Sequence, residues 1–242
     1  MAPTDPPDRR ANPVRPARLA HKDARTIAAQ PSPATGSTGN ARTAGSAATG
    51  GTGSRSAGSR RSEAARLAVL NAADDLLVEY GFEGLTIEGI AAAAGVAKQT
   101  IYRWWKSKVD ILFDNLVLDG GSALGWPEHP SGPADVRAYV HRFAAFLGEE
   151  PAGRVLQALL GHAQLDPRTA ELLHSGFLDE LRARDVANVR TCLGLADDDR
   201  AAAVLDAVLA PLYHRALVLR RPLDAAFVDA LLDQQLGRQP AR

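Results

Sequence analysis

Apolar residues at helical spacing, interrupted by single glycines, constrain this chain more than any other feature. From Ser62 onward, Leu67, Leu70, Ala73, Leu77 and Tyr80 recur at helical intervals. Ser62 is placed as a cap, and Glu63 lies near the positive end of the helix dipole. Gly81 supplies a left-handed stop, and Phe82 is the apolar residue that folds back beyond it. Thr86 opens a short second helix that turns Ile87, Ile90, Ala91 and Ala94 inward, and Gly95 makes the tight turn into a third, from Ala97 to Trp105. The third helix meets the core through Val96, Ile101 and Trp105, leaving Lys98, Gln99, Tyr102, Arg103 and Trp104 outward. Ser107 and Asp110 read as a capping box for a fourth helix through Val109, Leu112, Phe113 and Leu116, ended by Gly120 and Gly121.

Beyond a loop containing Trp126, Pro127 and Pro130, no segment shows the alternation of a half-buried strand. Helices are expected near residues 134–148, 151–164, 167–193, 198–219 and 224–236. Asp166 caps before Pro167, Gly194 acts as a stop, and Asp224 caps between a Leu223–Val228 staple. Pro211 is expected to kink its helix without ending it. The predicted class is all-α: a three-helix domain over residues 62–109, a second helical domain over 110–242, and a preceding tail over 1–61.

The tail follows from charge and composition. Residues 1–61 hold ten Lys plus Arg against three Asp, about +7, so the rest of this formally neutral chain sums to about −7. Rich in Pro, Gly, Ser, Thr and Ala, with only Val14, Leu19 and Ile27 as sizeable aliphatics, the tail cannot offset its ordering entropy and is expected to be disordered. The remainder, in a chain of 242 residues with 45% hydrophobic content, is long enough for a true core. A single cysteine, Cys192, excludes an internal disulfide and reads as a buried small apolar residue, and no Cys/His spacing suits a metal. No run of about 20 apolar residues suggests a membrane span. Asp5, Asp8, Arg9 and Arg10 interrupt any leader-like core, so the cytoplasm is the expected compartment. No phosphate-binding glycine loop, Gly-x-Ser-x-Gly elbow or His-Glu-x-x-His pair is present, so neither catalytic residues nor a cofactor are expected.

Two short helices hinged on glycine, with polar and basic groups outward, have the shape of a DNA reader. The run from Leu85 to Lys108, LTIEGIAAAAGVAKQTIYRWWKSK, closely resembles the amino-terminal motif of TetR-type transcriptional regulators. The likeness extends over roughly 50 residues from Ser62, including the Tyr80-Gly81-Phe82 turn. The stretch Ala210-Pro211-Leu212-Tyr213-His214-Arg215, followed by Arg221-Pro222-Leu223, is similar to the ligand domain of one TetR subgroup. The resemblance implies DNA contacts by Thr86, Lys98, Tyr102 and Lys108, and their hydroxyl, phenol and ammonium groups independently suit phosphate oxygens. Thr100 joins this set. The sequence departs from the family pattern at Ala97, where a hydroxyl cap is usual, and at Gln99, where glycine is frequent. Losing the cap removes about 1 kcal/mol of local helix stability. Gln99 has two readings, pairing with adenine in the major groove or facing water and phosphate; Arg103 suits guanine. Trp105 takes the family's core aromatic position, bracing the first and fourth helices. Trp104 either reaches DNA or packs on the surface. Arg60 and Arg61 either form a DNA-contacting arm or belong to a tail without such a role.

The resemblance further implies a repressor acting as a homodimer on double-stranded, roughly palindromic operator DNA, with recognition helices about one DNA turn apart. The last two long helices, carrying Val204, Leu205, Val208, Leu212, Phe227, Leu231 and Leu232, either pair with their copies or complete the monomer core. A small-molecule effector site is expected among the middle helices around Phe113, His141, Phe143, Phe146, Leu156, His162, His174 and Phe177. The effector would shift the population away from the DNA-competent dimer. The competing reading is a helical interaction protein whose degenerate helix-turn-helix lacks specific DNA binding.

Overall fold

The stripe of apolar residues that opens the chain's helical part is buried as one long helix. The computed structural model describes residues 52–237, with side chains from residue 60 on. Helix α1 (Thr52–Gly84) buries Val69, Leu70, Ala73 and Leu77. It starts well before Ser62, so Ser62 and Glu63 lie within the helix rather than capping it, and the segment 52–61 is helical rather than part of a disordered tail. That segment contains no proline, and its arginines propagate a helix readily. Arg60 and Arg61 therefore stand on a helix and not on a flexible arm; residues 1–51 of the expected tail lie outside the described residues. Leu67 and Tyr80 are corrected from inward to exposed, because Leu67 edges the stripe and Tyr80 lies beside the break at Gly81. Gly81 adopts φ 72° and ψ 179°, a region essentially restricted to glycine.

Helices α2 (Ile87–Ala94) and α3 (Lys98–Trp104) follow, joined through Gly95 in the left-handed conformation at φ 66°. Ile90 and Ile101 are fully buried. Ser107 caps α4 (Lys108–Ala123) by accepting from Asp110 N at 3.2 Å, while Asp110 reaches back to Lys106 N rather than to Ser107. Gly120 and Gly121 do not end this helix. Gly120 is buried where a Cβ would lie 3.1 Å from Phe177 Cζ, so it admits a ring instead of stopping the chain.

The remaining described elements are α5 (Pro133–Glu149), α6 (Pro151–Ala163), α7 (Pro167–Leu173), α8 (Asp179–Leu193), α9 (Asp198–Tyr213) and α10 (Ala225–Leu236). The expected single helix over 167–193 is interrupted by a π turn at His174–Leu178, and α9 passes through Pro211 into a second π turn at His214–Val218. Caps at Asp166 and Asp224 and the left-handed stop at Gly194 stand where the sequence put them. α6 packs between α4 and α5 and also touches α1, so the amino-terminal helices rest directly on the body.

Two buried polar centres lock these layers. Asp185 on α8 accepts from Trp126 Nε1 at 2.9 Å, from Arg184 Nη2 at 3.0 Å and from the Tyr139 hydroxyl, joining the α4–α5 loop to α5 and α8. Burial raises its carboxyl above the usual range, opposed by these donors. In α4, Asn115 donates to the buried Asp74 and to Leu70 O of α1 at 3.1 Å. Cys192 is buried, as expected of a small apolar side chain.

Candidate nucleic-acid interface and ligand cleft

The α2–α3 unit presents its polar face because its apolar face is consumed by Ile90, Ile101 and Trp105. Thr86 is the N-cap of α2 and accepts from Gly89 N at 3.1 Å, so its hydroxyl stands at a helix start beside free amides. Lys98 opens α3, where Ala97 makes no side-chain cap bond. Gln99, Tyr102 and Arg103 are exposed, and Thr100 is half-buried between them. Tyr102 is 50% exposed, a large aromatic without cover.

Trp105 holds this face in place. It is 3% exposed, and its Nε1 donates to Asp114 of α4 at 2.8 Å. Arg66 of α1 donates to the same carboxylate oxygen at 2.8 Å, with its guanidinium 6.0 Å from the Trp105 ring. The expected bracing of the first and fourth helices thus has a specific chemistry. Trp104 is half-buried and edge-on to Trp105 at 5.4 Å, with the Arg103 guanidinium 5.1 Å from its own ring centre.

Two cations are engaged in ways the sequence did not reveal. Lys98 is paired with Glu88 of α2, which holds the Glu88 carboxyl below and the Lys98 ammonium above its ordinary value. Lys108 donates to Phe82 O at 2.6 Å and lies 4.3 Å from the Phe82 ring centre, fastening the start of α4 to the turn after Gly81. The His162 ring of α6 also lies against Phe82, at 4.6 Å. Both partnerships span the tertiary structure and have no local signal. Lys106, exposed and without an acidic partner among the described residues, is a further cation beside this face.

The expected effector residues scatter. Phe143, Phe146, Leu156 and Phe177 are buried in the core, and His174 is exposed. His141 pairs with Asp229 at 2.8 Å, His162 lies against Phe82, and half-buried Phe113 meets the backbone at Gly176. A cleft of about 1350 Å³ opens elsewhere, between the end of α1, α5, α6 and the α9–α10 connection. None of the eight residues lines it; Leu77, Phe82, Leu160, Leu178 and Tyr213 do. The sequence carried no sign of it, because it forms from helix ends that are distant along the chain.

The dimer candidates divide similarly. Leu205, Val208, Leu212, Leu231 and Leu232 are spent on the monomer core, while Val204 and Phe227 are half-buried. The helix Asp198–Val218 is nevertheless so apolar that it is long and hydrophobic enough to cross a membrane by composition alone, and only 22% of its most apolar stretch is buried. Asp206 lies within it, ion-paired with Arg182 at 2.5 Å.

Comparison with known proteins places both parts. Residues 69–114 match the family model described as bacterial regulatory proteins, tetR family, and residues 127–235 match the tetracyclin repressor-like carboxy-terminal domain. The HTH-type transcriptional regulator YdeS of Bacillus subtilis is 30% identical over 178 residues, covering 72% of this chain and 89% of the relative. The HTH-type transcriptional repressor SCO4008 of Streptomyces coelicolor is 28% identical over 156 residues, covering 63% and 74%. Among solved structures, the TetR family transcription regulator SCO0332 is 30% identical with a TM-score of 0.56, covering 73% of this chain and 99% of its own. The chain belongs to the TetR family of helix-turn-helix transcriptional regulators.

Proposed function

We propose that this regulator is a repressor that reads a roughly palindromic operator as a homodimer and releases it when a small molecule binds its helical body. The observation that carries the reading is the outward face of α3, where Gln99, Tyr102 and Arg103 stand exposed on a helix fixed from behind by Trp105. Thr86, Lys98, Thr100, Tyr102 and Lys106 supply phosphate contacts that orient the head; Gln99 and Arg103 read base edges; Trp104 flanks them. Lys98 must exchange Glu88 for a phosphate, and Lys108 reaches DNA only by leaving Phe82 O, so its larger role is to hold the turn.

The weakly covered apolar side of α9, with Val218 69% and Leu219 48% exposed beyond it, supports pairing of α9 and α10 with their copies. Phe82, in contact with both His162 of the body and Lys108 at the start of α4, supports transmission of a ligand-induced shift to the head. Such a regulator works in the cytoplasm, where its DNA is. Selection of bound sequences from random duplex DNA tests the proposal. A palindromic consensus is expected, weakened across all positions by Tyr102→Ala and relaxed at one position by Gln99→Ala. Absence of enrichment at moderate salt sinks it and favours the interaction-protein reading.

A further inference from the structure

Among the described residues of the helical body, eight of eleven arginines are engaged. Arg137, Arg168, Arg182, Arg184, Arg190, Arg200 and Arg215 each pair with a carboxylate, and Arg142 donates to Gly125 O. Three have no side-chain partner there, Arg154, Arg220 and Arg221, and all three line the same cleft. In a body with more acids than arginines, leaving all three of the described guanidiniums that lack a side-chain or carbonyl partner on one cavity is not what even dispersal of charge would give.

The cleft is also lined by the apolar Leu77, Phe82, Leu160, Leu178 and Leu217, with Gln157 and Gln164 as its neutral polar side chains. Of its two acids, Asp224 is already held by Arg215 at 3.3 Å and by the Phe227 amide at 2.9 Å, which leaves Glu149 against three arginines. Tyr213 also lines the cleft. Burial and the charge of Asp185 raise its phenol above the ordinary value. Arg220, two residues beyond the second π turn and followed directly by Arg221, is the one described non-glycine residue at positive φ, 51°.

We infer that this cleft binds an anionic small molecule with an apolar body, its acid group held by Arg154, Arg220 and Arg221 and its hydrocarbon laid along the leucines toward Phe82. Guanidinium groups suit a carboxylate, sulfonate or phosphate through forked hydrogen bonds, and the apolar lining rewards the remainder of the molecule. The inference rests on the ligand-responsive reading above and names its ligand class. Contact with Phe82 places that ligand against the residue that joins body and head.

The test is a fluorescence titration of the full chain with 1-anilinonaphthalene-8-sulfonate, and with N-phenyl-1-naphthylamine, which has the same rings without the acid. The sulfonate is expected to bind more tightly. Arg154→Gln, Arg221→Gln and Arg220→Asn, the last tolerating positive φ, each weaken it about tenfold while leaving the neutral amine unchanged. Gly161→Trp, whose side chain starts in open space on the cleft wall, is expected to abolish binding of both with the helical circular-dichroism spectrum retained. Equal binding of the two probes, indifference of the sulfonate to all three arginine changes, or survival of binding in Gly161→Trp overturns the inference. DNA release is read separately. Arginine-dependent binding without release upholds the site while contradicting the inducible-repressor reading.

Discussion

In the DNA-reading head, α3 shows solvent a polar and basic face where one cation, Lys98, is paired with a carboxylate, Glu88 of α2, whereas in the helical body eight of the eleven described arginines are tied to an acid or a carbonyl. Both regions are built from helices that bury one apolar stripe, so the difference lies in what their surfaces leave unsatisfied. Basic groups without protein partners gather at the face suited to a polyanion and at the cleft inferred to hold a small one. Elsewhere in the body the described arginines are held by carboxylates or a carbonyl, within a region that carries an excess of acids. The two regions also brace themselves differently: the head through an indole and a guanidinium on an accessible Asp114, the body through a phenol and an indole on the buried Asp185.

Removing Trp105 breaks the contrast most severely. Trp105→Ala empties the head's core and leaves Asp114 with Arg66 alone, so unfolding in denaturant should show a loss of about 3–5 kcal/mol together with loss of DNA binding. Retained stability would mean that the head does not depend on this brace. Tyr139→Phe tests the body's counterpart, with an expected cost of about 1–3 kcal/mol near neutral pH. The pH dependence has a definite sign. Burial raises Asp185 above the ordinary 3.8, so its contribution is full below that value and declines as pH rises through the raised one. Without the Tyr139 donor the carboxyl rises further, so the penalty of Tyr139→Phe should grow from acid to neutral pH; a penalty independent of pH would contradict the assignment.

Lys108→Met separates anchoring from phosphate contact. If the ammonium mainly holds Phe82 O, stability falls by about 1 kcal/mol and the salt dependence of DNA binding keeps its slope. A slope reduced by about one counterion with unchanged stability would restore the phosphate role. The smallest effect is expected for Glu88→Gln. Freeing Lys98 and deleting a carboxylate beside the face proposed to meet DNA should tighten binding about two- to fivefold at low salt, and the gain should fade as salt rises.

The head was more legible in the sequence than the body for a physical reason. Its short helices are delimited by local chemistry: Thr86, Gly95 and Ser107 each act within a few residues, and the helical period fixes which side of α3 faces out. The helix starts in the body were equally local, as Asp166 and Asp224 illustrate. Its cleft was not. Arg154 lies on α6 and Arg220 in the connection before α10, and only tertiary packing brings them to one cavity, while Phe143 and Phe146, which looked like pocket residues, fill the core. The π turn within the expected 167–193 helix likewise has no periodic signature, because it inserts one residue without disturbing the apolar spacing on either side. The start of α1 was misplaced because Ser62 suits a cap chemically while the preceding residues simply continue the helix.

The most direct measurement of the central claim is a fluorescence anisotropy titration of the chain on the selected palindrome, on one isolated half-site and on a scrambled duplex at the same salt, with the mass of each complex determined. Two protomers on the palindrome, with affinity falling sharply on the half-site and further on scrambled DNA, is the predicted result. Equal affinity for all three duplexes, or a single protomer on the palindrome, would contradict the account.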